Sequence, residues 1–353
     1  MNTLLVTSTE AGTGKTAVAL ALARLATERG ADVGYMKPKG TRLESNVGKT
    51  LDADPMLARE LLGLDAEMHE LEPVVYSPTF VEGAIRGRED PEELRTRVQD
   101  AFEGLAEEKD LMIVEGADDL ATGGIVDLTD AAVAELLDAD ALVLSTYSEP
   151  GDVDDVLAAA DDLGERCEGV VFNAVQDADY DDVETDVAPF LDGRDVPVRG
   201  VLPLDDDLAG VTVADLASEL GANVLTDDGV GTNERVERFL VGAMSGEAAL
   251  SHFRRTKDAA VITGGDRADV QTAALDAPGV TCLVLTGGHR PSGAVLGKAA
   301  ENGVPVLSVQ SDTLTTVERA EELVRGGRVR DERTVDRMQE LLHDHADVDA
   351  LLD

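Results

Sequence analysis

The stretch from Leu4 to Arg29 constrains the fold more than any other. Leu4-Leu5-Val6-Thr7 is a short apolar run suited to a buried strand. Ser8 to Thr16 reads Ser-Thr-Glu-Ala-Gly-Thr-Gly-Lys-Thr, a loop of small residues, and Ala17 to Arg29 is rich in Ala and Leu and closes at Gly30. Strand, glycine-bearing loop, Gly-Lys-Thr and helix, in that order, are the context that a phosphate-binding P-loop requires. Glycines let backbone N–H groups turn toward an anion, and the helix N-terminus adds partial positive charge. Thr13, Gly14, Lys15, Thr16 and Ala17 are therefore the expected nucleotide-binding residues. Lys15 is placed to reach the β/γ-phosphates as a catalytic cation, and the Thr16 hydroxyl to ligate Mg2+. The strict pattern asks for Gly where Thr9 stands, so the loop is a variant. A lysine at a helix N-terminus opposes the dipole unless an anion is bound there.

A chain of 353 residues has room for two domains. Its formal net charge is -42, from 72 acidic and 30 basic residues. Only seven of the basic residues are Lys, and the acid is spread over the whole chain, as at Asp152-Val-Asp-Asp and Asp205-Asp-Asp. A hydrophobic content of 43% argues for a globular protein with a carboxylate-covered surface. Such self-repulsion is tolerable where salt screens it, since the Debye length falls to about 3 Å near 1 M, so a high-salt cytoplasm is the expected setting. Nucleic acid is not an expected partner of this field. Cys167 and Cys282 lie far apart beside apolar runs, as buried reduced thiols do. No basic n-region with a signal-like apolar run opens the chain, and no run reaches about 18 apolar residues. A cytoplasmic protein without a membrane partner is expected.

Along the chain, Asp32 to Met36 reads as a second strand that ends at Lys37-Pro38-Lys39-Gly40-Thr41. That edge of an α/β sheet faces the ligand crevice, so Lys37, Lys39 and Thr41 are expected to contact an anion. Asp52 and Asp54 precede a helical pattern at Met56-Leu57 and Leu61-Leu62, either as N-cap carboxylates or in a metal-linked role. Leu71 to Ala84, with Pro73 and Pro78, is irregular and expected to wrap over the site. Pro91 to Glu107 reads as a helix and Leu111 to Val114 as a strand followed by Glu115-Gly116-Ala117-Asp118. A carboxylate directly after a buried strand in a P-loop protein stands where Mg2+ or its water is held, the role expected of Glu115. Further strands at 141–145, 169–173 and 198–202, a helix at 213–220 and an apolar piece at 223–225 complete an α/β, doubly wound, mostly parallel sheet.

These pieces resemble the dethiobiotin synthetase branch of P-loop proteins over residues 1–225. The matching residues are the Thr9-Glu10 loop ending in Gly14-Lys15-Thr16, Gly34-Tyr35-Met36-Lys37-Pro38, Asp54, Val114-Glu115-Gly116-Ala117 and Asn173. The resemblance implies that Lys15 and Thr16 hold ATP phosphates and that Thr16, Asp54 and Glu115 serve Mg2+. It also implies that Asn173 reads adenine and that Lys37, as a second catalytic cation, meets the carbamate of the substrate. Gly12 stands where the family has an acidic residue, Asp118-Asp119 replace two glycines, and Lys39 is added before Thr41. The nucleotide positions thus match more fully than the substrate positions. The partition-ATPase branch has a lysine where Glu10 stands.

Thr226 to Asn233 is polar and glycine-bearing, a linker by composition. Val236, Phe239, Leu240, Ala243 and Met244 recur at helical spacing, so residues 226–245 are expected to be linker plus amphipathic helix. Residues 246–353 then form a second, smaller α/β domain with an acidic helical tail. Val261-Ile-Thr-Gly-Gly-Asp-Arg267 and Val284-Leu-Thr-Gly-Gly-His-Arg290 form a weak repeat, and Val304 to Val309 a third strand. Glycines and arginines in such loops suit a phosphate or carboxylate, or else merely satisfy tight turns. This half resembles the DRTGG domain through Asp266-Arg267 and Thr286-Gly287-Gly288, which implies a regulatory ligand at those residues. A synthetase-like domain followed by a DRTGG domain resembles the N-terminal portion of long phosphotransacetylases. No counterpart of the acetyl-transferring domain follows, and that activity is not carried over. The resemblance implies an ATP- and Mg2+-binding regulatory protein, homo-oligomeric, taking a small anionic metabolite and controlling a separate phosphotransacetylase-type enzyme. The alternative is an ATP-dependent enzyme that phosphorylates a carboxylate or carbamate.

Overall fold

The computed structural model describes residues 1–41, 43–46, 49–205, 208, 210–226, 231–232, 234–242, 244–325 and 332–352. Outside them lie part of the expected linker (227–230 and 233), Ala243 of the expected amphipathic helix, and 326–331 of the tail. The chain divides into two units, Met1–Leu208 with Arg328–Asp353, and Ala209–Gly327.

In the first unit, β1 (Asn2–Ser8) sends Leu5 to one apolar layer and Leu4 and Val6 to the other, the alternation of a strand buried on both faces. Helix α1 (Lys15–Glu28) follows the glycine loop and packs Val18, Leu22 and Leu25 on the same side as Leu4. Then come β2 (Val33–Met36), α2 (Ala53–Leu61), α3 (Pro91–Ala106), β3 (Leu111–Glu115), α4 (Asp130–Leu137), β4 (Asp140–Ser145), α5 (Asp152–Leu163), β5 (Cys167–Val175) and β6 (Val198–Pro203). The six strands form one parallel sheet in the order β6-β5-β4-β1-β3-β2. Leu94, Val98 and Phe102 of α3 and Val153 and Val156 of α5 cover the face opposite α1. Among the described residues no helix is long and apolar enough to cross a membrane.

The second unit holds a five-stranded sheet. Its strands are β7 (Asn223–Val224), β8 (Arg238–Val241), β9 (Ala259–Gly264), β10 (Val280–Thr286) and β11 (Val306–Ser308), in the order β7-β11-β10-β9-β8. All neighbours are parallel except β7, which runs antiparallel to β11. Helices α6 (Gly246–Phe253), α7 (Ala268–Leu275) and α8 (Gly293–Asn302) connect β8 to β9, β9 to β10 and β10 to β11, and α9 (Thr313–Arg325) follows β11.

Three expectations are corrected here. The helix at 213–220 and the apolar piece at 223–225 belong to the second unit: the piece is β7, paired through Asn223 and Val224 with Ser308 and Leu307. The amphipathic helix expected over 236–244 is a strand over 238–241. Phe239 packs toward one apolar cluster and Leu240 toward another, and Arg238 to Val241 pair with Ala259 to Ile262. Parallel pairing between two apolar layers outweighs a helical spacing carried by β-prone Val and Phe. The acidic tail belongs to the first unit, as α10 (Glu332–His345) and α11 (Val348–Leu352). Val335, Met338 and Leu342 join Leu22 and Leu25 of α1, Ala346 bridges Gly200 of β6, and Asp347 N–H donates to Arg199 O at 2.7 Å.

Candidate functional site

The turn from β1 to α1 has the geometry of an anion cradle. Gly14, the N-cap of α1, adopts φ 90°, and no side chain caps the helix. A Cβ at Gly14 would lie 2.7 Å from Asn173 Nδ2, so only glycine allows the loop to pass the end of β5. Asn173 Nδ2 donates to Thr13 O at 2.8 Å, while the Thr13 hydroxyl is buried without a partner. The first-turn N–H groups of α1 have no helical acceptor. An uncapped helix start, an orphaned hydroxyl and a lysine only 8% exposed therefore meet at one place.

Lys15 Nζ donates to Ser8 Oγ at 2.6 Å and to Asp118 O at 2.7 Å. Burial pushes its pKa down, against the opposing charges of Asp130 and Glu115. Thr16 Oγ1 donates to Glu115 Oε1 at 2.8 Å, and Tyr35 OH to Glu115 Oε2 at 2.7 Å. Burial raises the Glu115 pKa, with Lys37 and these two hydrogen bonds opposing it. Lys37 is 2% exposed and sits among three carboxylates. It bonds Asp54 Oδ2 at short range and lies 3.0 Å from Asp52 Oδ2 and 3.5 Å from Glu115 Oε1. Burial would lower its pKa, but Asp54, Glu115 and Asp52 together raise it above the ordinary lysine value. Asp52 caps α2, accepting from Asp54 N at 2.8 Å through one oxygen and from Thr41 N at 2.9 Å through the other.

The structure thus brings Lys15, Thr16, Lys37, Asp54 and Glu115 into one buried cluster and sets Thr13, Gly14, Ala17 and Asn173 at its P-loop side. Lys39 is corrected: it does not face an anion site. Its ammonium donates to Thr122 O at 2.9 Å, to Leu128 O and to Asp130 Oδ1 at 2.8 Å, which uses all three of its donors at 1% exposure. Asp130 also accepts from Thr7 Oγ1 at 2.6 Å and Ala117 N at 3.3 Å. A Cβ at Gly116 would lie 2.1 Å from Asp130 Oδ2, so the Glu115-Gly116 step is glycine by necessity. Thr41 Oγ1 donates to Asp118 Oδ1 at 2.9 Å. Tyr35 stands within the Gly34–Pro38 match without a role of its own, yet it lies two residues before Lys37 and both reach Glu115. Glu72 and Asp130 arrive from distant segments and leave no local signal.

Two carboxylates and a threonine hydroxyl fit Mg2+, which keeps waters and phosphate oxygens in its shell. Among the described residues no group of three or more His, Cys, Asp or Glu is arranged to hold a metal by itself. Thr16, Asp54 and Glu115 would therefore share a divalent ion with nucleotide oxygens.

In the second unit the expected anion cradle at Thr286-Gly287-Gly288 is corrected. Gly287 N–H donates to Ser311 O and Gly288 N–H to Val309 O, both at 2.9 Å, so neither is free to bind an anion. Thr286 Oγ1 pairs with Thr313 Oγ1 at 2.8 Å. Arg267 Nη2 donates to Met244 O at 2.6 Å and Nε to Asp269 Oδ1 at 3.3 Å, and Asp266 is exposed beside it. These residues shape the ends of β9 and β10.

A family model described as an AAA domain matches residues 2–225, and one described as a DRTGG domain matches residues 215–323. Phosphate acetyltransferase of Pseudomonas putida is 25% identical over 374 residues, covering 98% of this chain and 51% of that protein. The chain thus spans about half the length of the relative it matches end to end. ATP-dependent dethiobiotin synthetase of Methanococcus vannielii is 32% identical over 177 residues, covering 49% of this chain and 80% of that one. Among solved structures, the MinD cell division protein of Aquifex aeolicus is 16% identical with a TM-score of 0.36, covering 59% of this chain and 84% of that one.

Proposed function

Since the chain belongs, over residues 2–225, to the AAA domain family in its dethiobiotin synthetase-like branch, and carries a DRTGG domain over 215–323, we propose that it is a Mg-ATP-binding regulatory protein. Its proposed target is a phosphate acetyltransferase or a related acyl-metabolic enzyme. The observation that carries nucleotide binding is the convergence of the uncapped α1 start, the buried unpartnered Thr13 hydroxyl and the buried Lys15 beside Glu115. The unpartnered hydroxyl is costly to bury and the uncapped helix start favours an anion, so a phosphate beside Lys15 would satisfy both. In this reading Lys15 exchanges Ser8 and the Asp118 carbonyl for phosphate oxygens, and Thr16, Asp54 and Glu115 hold Mg2+. The metal supplies charge neutralisation at the terminal phosphates.

A second reading, ATP-dependent phosphorylation of a carboxylate or carbamate, is supported by Lys37 lying 3.5 Å from Glu115. The regulatory reading is preferred because two of the three groups expected to hold an acceptor are already engaged inside the chain: Lys39 by Asp130 and the Thr41 hydroxyl by Asp118. Calorimetry in molar KCl tests nucleotide binding: ATP with Mg2+ should bind the wild type, and Lys15→Ala should lose it. Equal affinity in the two proteins overturns the assignment. Hydrolysis assayed with and without a panel of carboxylic acids separates the two readings, stimulation by an acid favouring the second.

A further inference from the structure

The position of Lys37 has a consequence for the metal. The two carboxylates that its ammonium touches besides Asp52 are Asp54 and Glu115, the same two assigned to Mg2+. An ammonium and a divalent cation cannot share such a place, because like charges a few ångströms apart in a buried site repel strongly. Asp52 differs from the other two. Its carboxylate is fully buried and pinned at both oxygens, by Asp54 N at 2.8 Å and Thr41 N at 2.9 Å, and its own N–H donates to Glu72 Oε2 at 2.9 Å. It therefore stays where it is when the neighbouring charges change.

We propose that the Lys37 ammonium holds the place of the divalent cation between Asp54 and Glu115, and that on metal binding it withdraws onto Asp52. Asp52 is then a positioning residue: it acts on the metal through Lys37 and touches neither metal nor nucleotide. The exchange leaves Lys37 one fixed counter-ion and frees N–H donors for an anion. Lys37 thus becomes available to a phosphate or carboxylate only in the metal-loaded site. This deepens the Mg-ATP reading and rests on it.

The test uses the full chain in molar KCl, where surface carboxylates are screened, with Mn2+ alone as the probe and electron paramagnetic resonance as the readout. The site is defined as the Mn2+ class that Asp54→Asn removes. Lys37→Met, which deletes the competing cation, should tighten that class about tenfold. Asp52→Asn should weaken it about tenfold, because Lys37 then has no carboxylate outside the metal site to withdraw to and stays between Asp54 and Glu115. Long-range charge alone would give the same signs, so Lys37→Ala supplies the discriminating measurement. Added ethylammonium should compete with Mn2+ in this variant and leave the wild type unaffected.

No competition in Lys37→Ala, or unchanged or weaker Mn2+ binding in Lys37→Met, overturns the exchange while leaving the metal site in place. Absence of any class sensitive to Asp54→Asn overturns the metal reading and the exchange with it. Should the Lys37 variants not fold, Asp52→Asn remains able to overturn the proposal, which Mn2+ affinity equal to or above wild type does.

Discussion

Glu72 shows how one buried group imposes a pH dependence on the first unit. It is 3% exposed, its Oε2 accepts from Asp52 N, and its Oε1 has no partner. Burial first, then the charge of Asp52, push its pKa from the ordinary 4.5 up to about 7, the Asp52 N–H opposing. The folded value lies above the unfolded one, so the native state takes up a proton. The associated stability is complete below the ordinary value and is lost as pH rises from about 4.5 through about 7. Glu72→Gln keeps an acceptor for the Asp52 N–H and removes the titration. Denaturant unfolding in molar KCl should show the variant gaining on wild type between pH 5 and pH 8, by on the order of 2 kcal/mol. Parallel pH profiles for the two proteins would show that Glu72 is not the group responsible.

At the level of elements, the docking of α10 decides how the first unit is completed. Its contacts with α1 are of two kinds. Leu342 is fully buried in the layer that contains Leu22 and Leu25, whereas Arg24 to Asp336 at 2.8 Å is an ion pair whose members are 24% and 53% exposed. Exposed pairs contribute about 0–1 kcal/mol, and deleting a buried leucine costs about 2–5 kcal/mol. Leu342→Ala should therefore lower the unfolding midpoint far more than Asp336→Ala, as read by circular dichroism in molar KCl. The reverse order would contradict a packing origin for the docking. The same elements show what a sequence can and cannot disclose. The strands β1 to β6 were legible because each is a short apolar run bounded by polar turns, Lys15 because it stands where a glycine loop hands over to a helix, and Glu115 because it ends a buried strand. The expected helix over 236–244 misled because five apolar residues at that spacing are equally compatible with an edge strand between two apolar layers. Asp52 was readable as a cap, but its hold on Thr41 and Lys37 depends on how segments far apart in sequence meet. The destination of the tail was invisible for the same reason: the apolar face of Val335, Met338 and Leu342 does not name its partner.

For the whole molecule the governing quantity is charge. Against 72 acidic residues the chain has seven lysines, and Lys15, Lys37 and Lys39 are buried at 8%, 2% and 1% exposure. Asp52, Asp54, Glu72, Glu115 and Asp130 are buried with them, so the surface keeps nearly all of the formal net charge of -42. Screening extends about 3 Å at 1 M salt and about 10 Å at 0.1 M, so dilution exposes neighbouring carboxylates to one another. The melting temperature should fall steadily as KCl is lowered from molar to 0.1 M, and a constant value would contradict this account. The return of the chain to its first unit also bears on how the protein is made. The segment Ala209–Gly327 lies between β6 and α10, so α1 emerges from the ribosome well before the helix that covers it. At the usual ~5–20 residues per second, translation of that segment occupies on the order of ten seconds. Once Val306–Ser308 has been made, every strand of the second unit is present, whereas Val335, Met338 and Leu342, which pack with Leu22 and Leu25, are not. Vectorial synthesis thus completes the later unit first, and the apolar back of the P-loop helix is the surface that a chaperone would meet on the nascent chain.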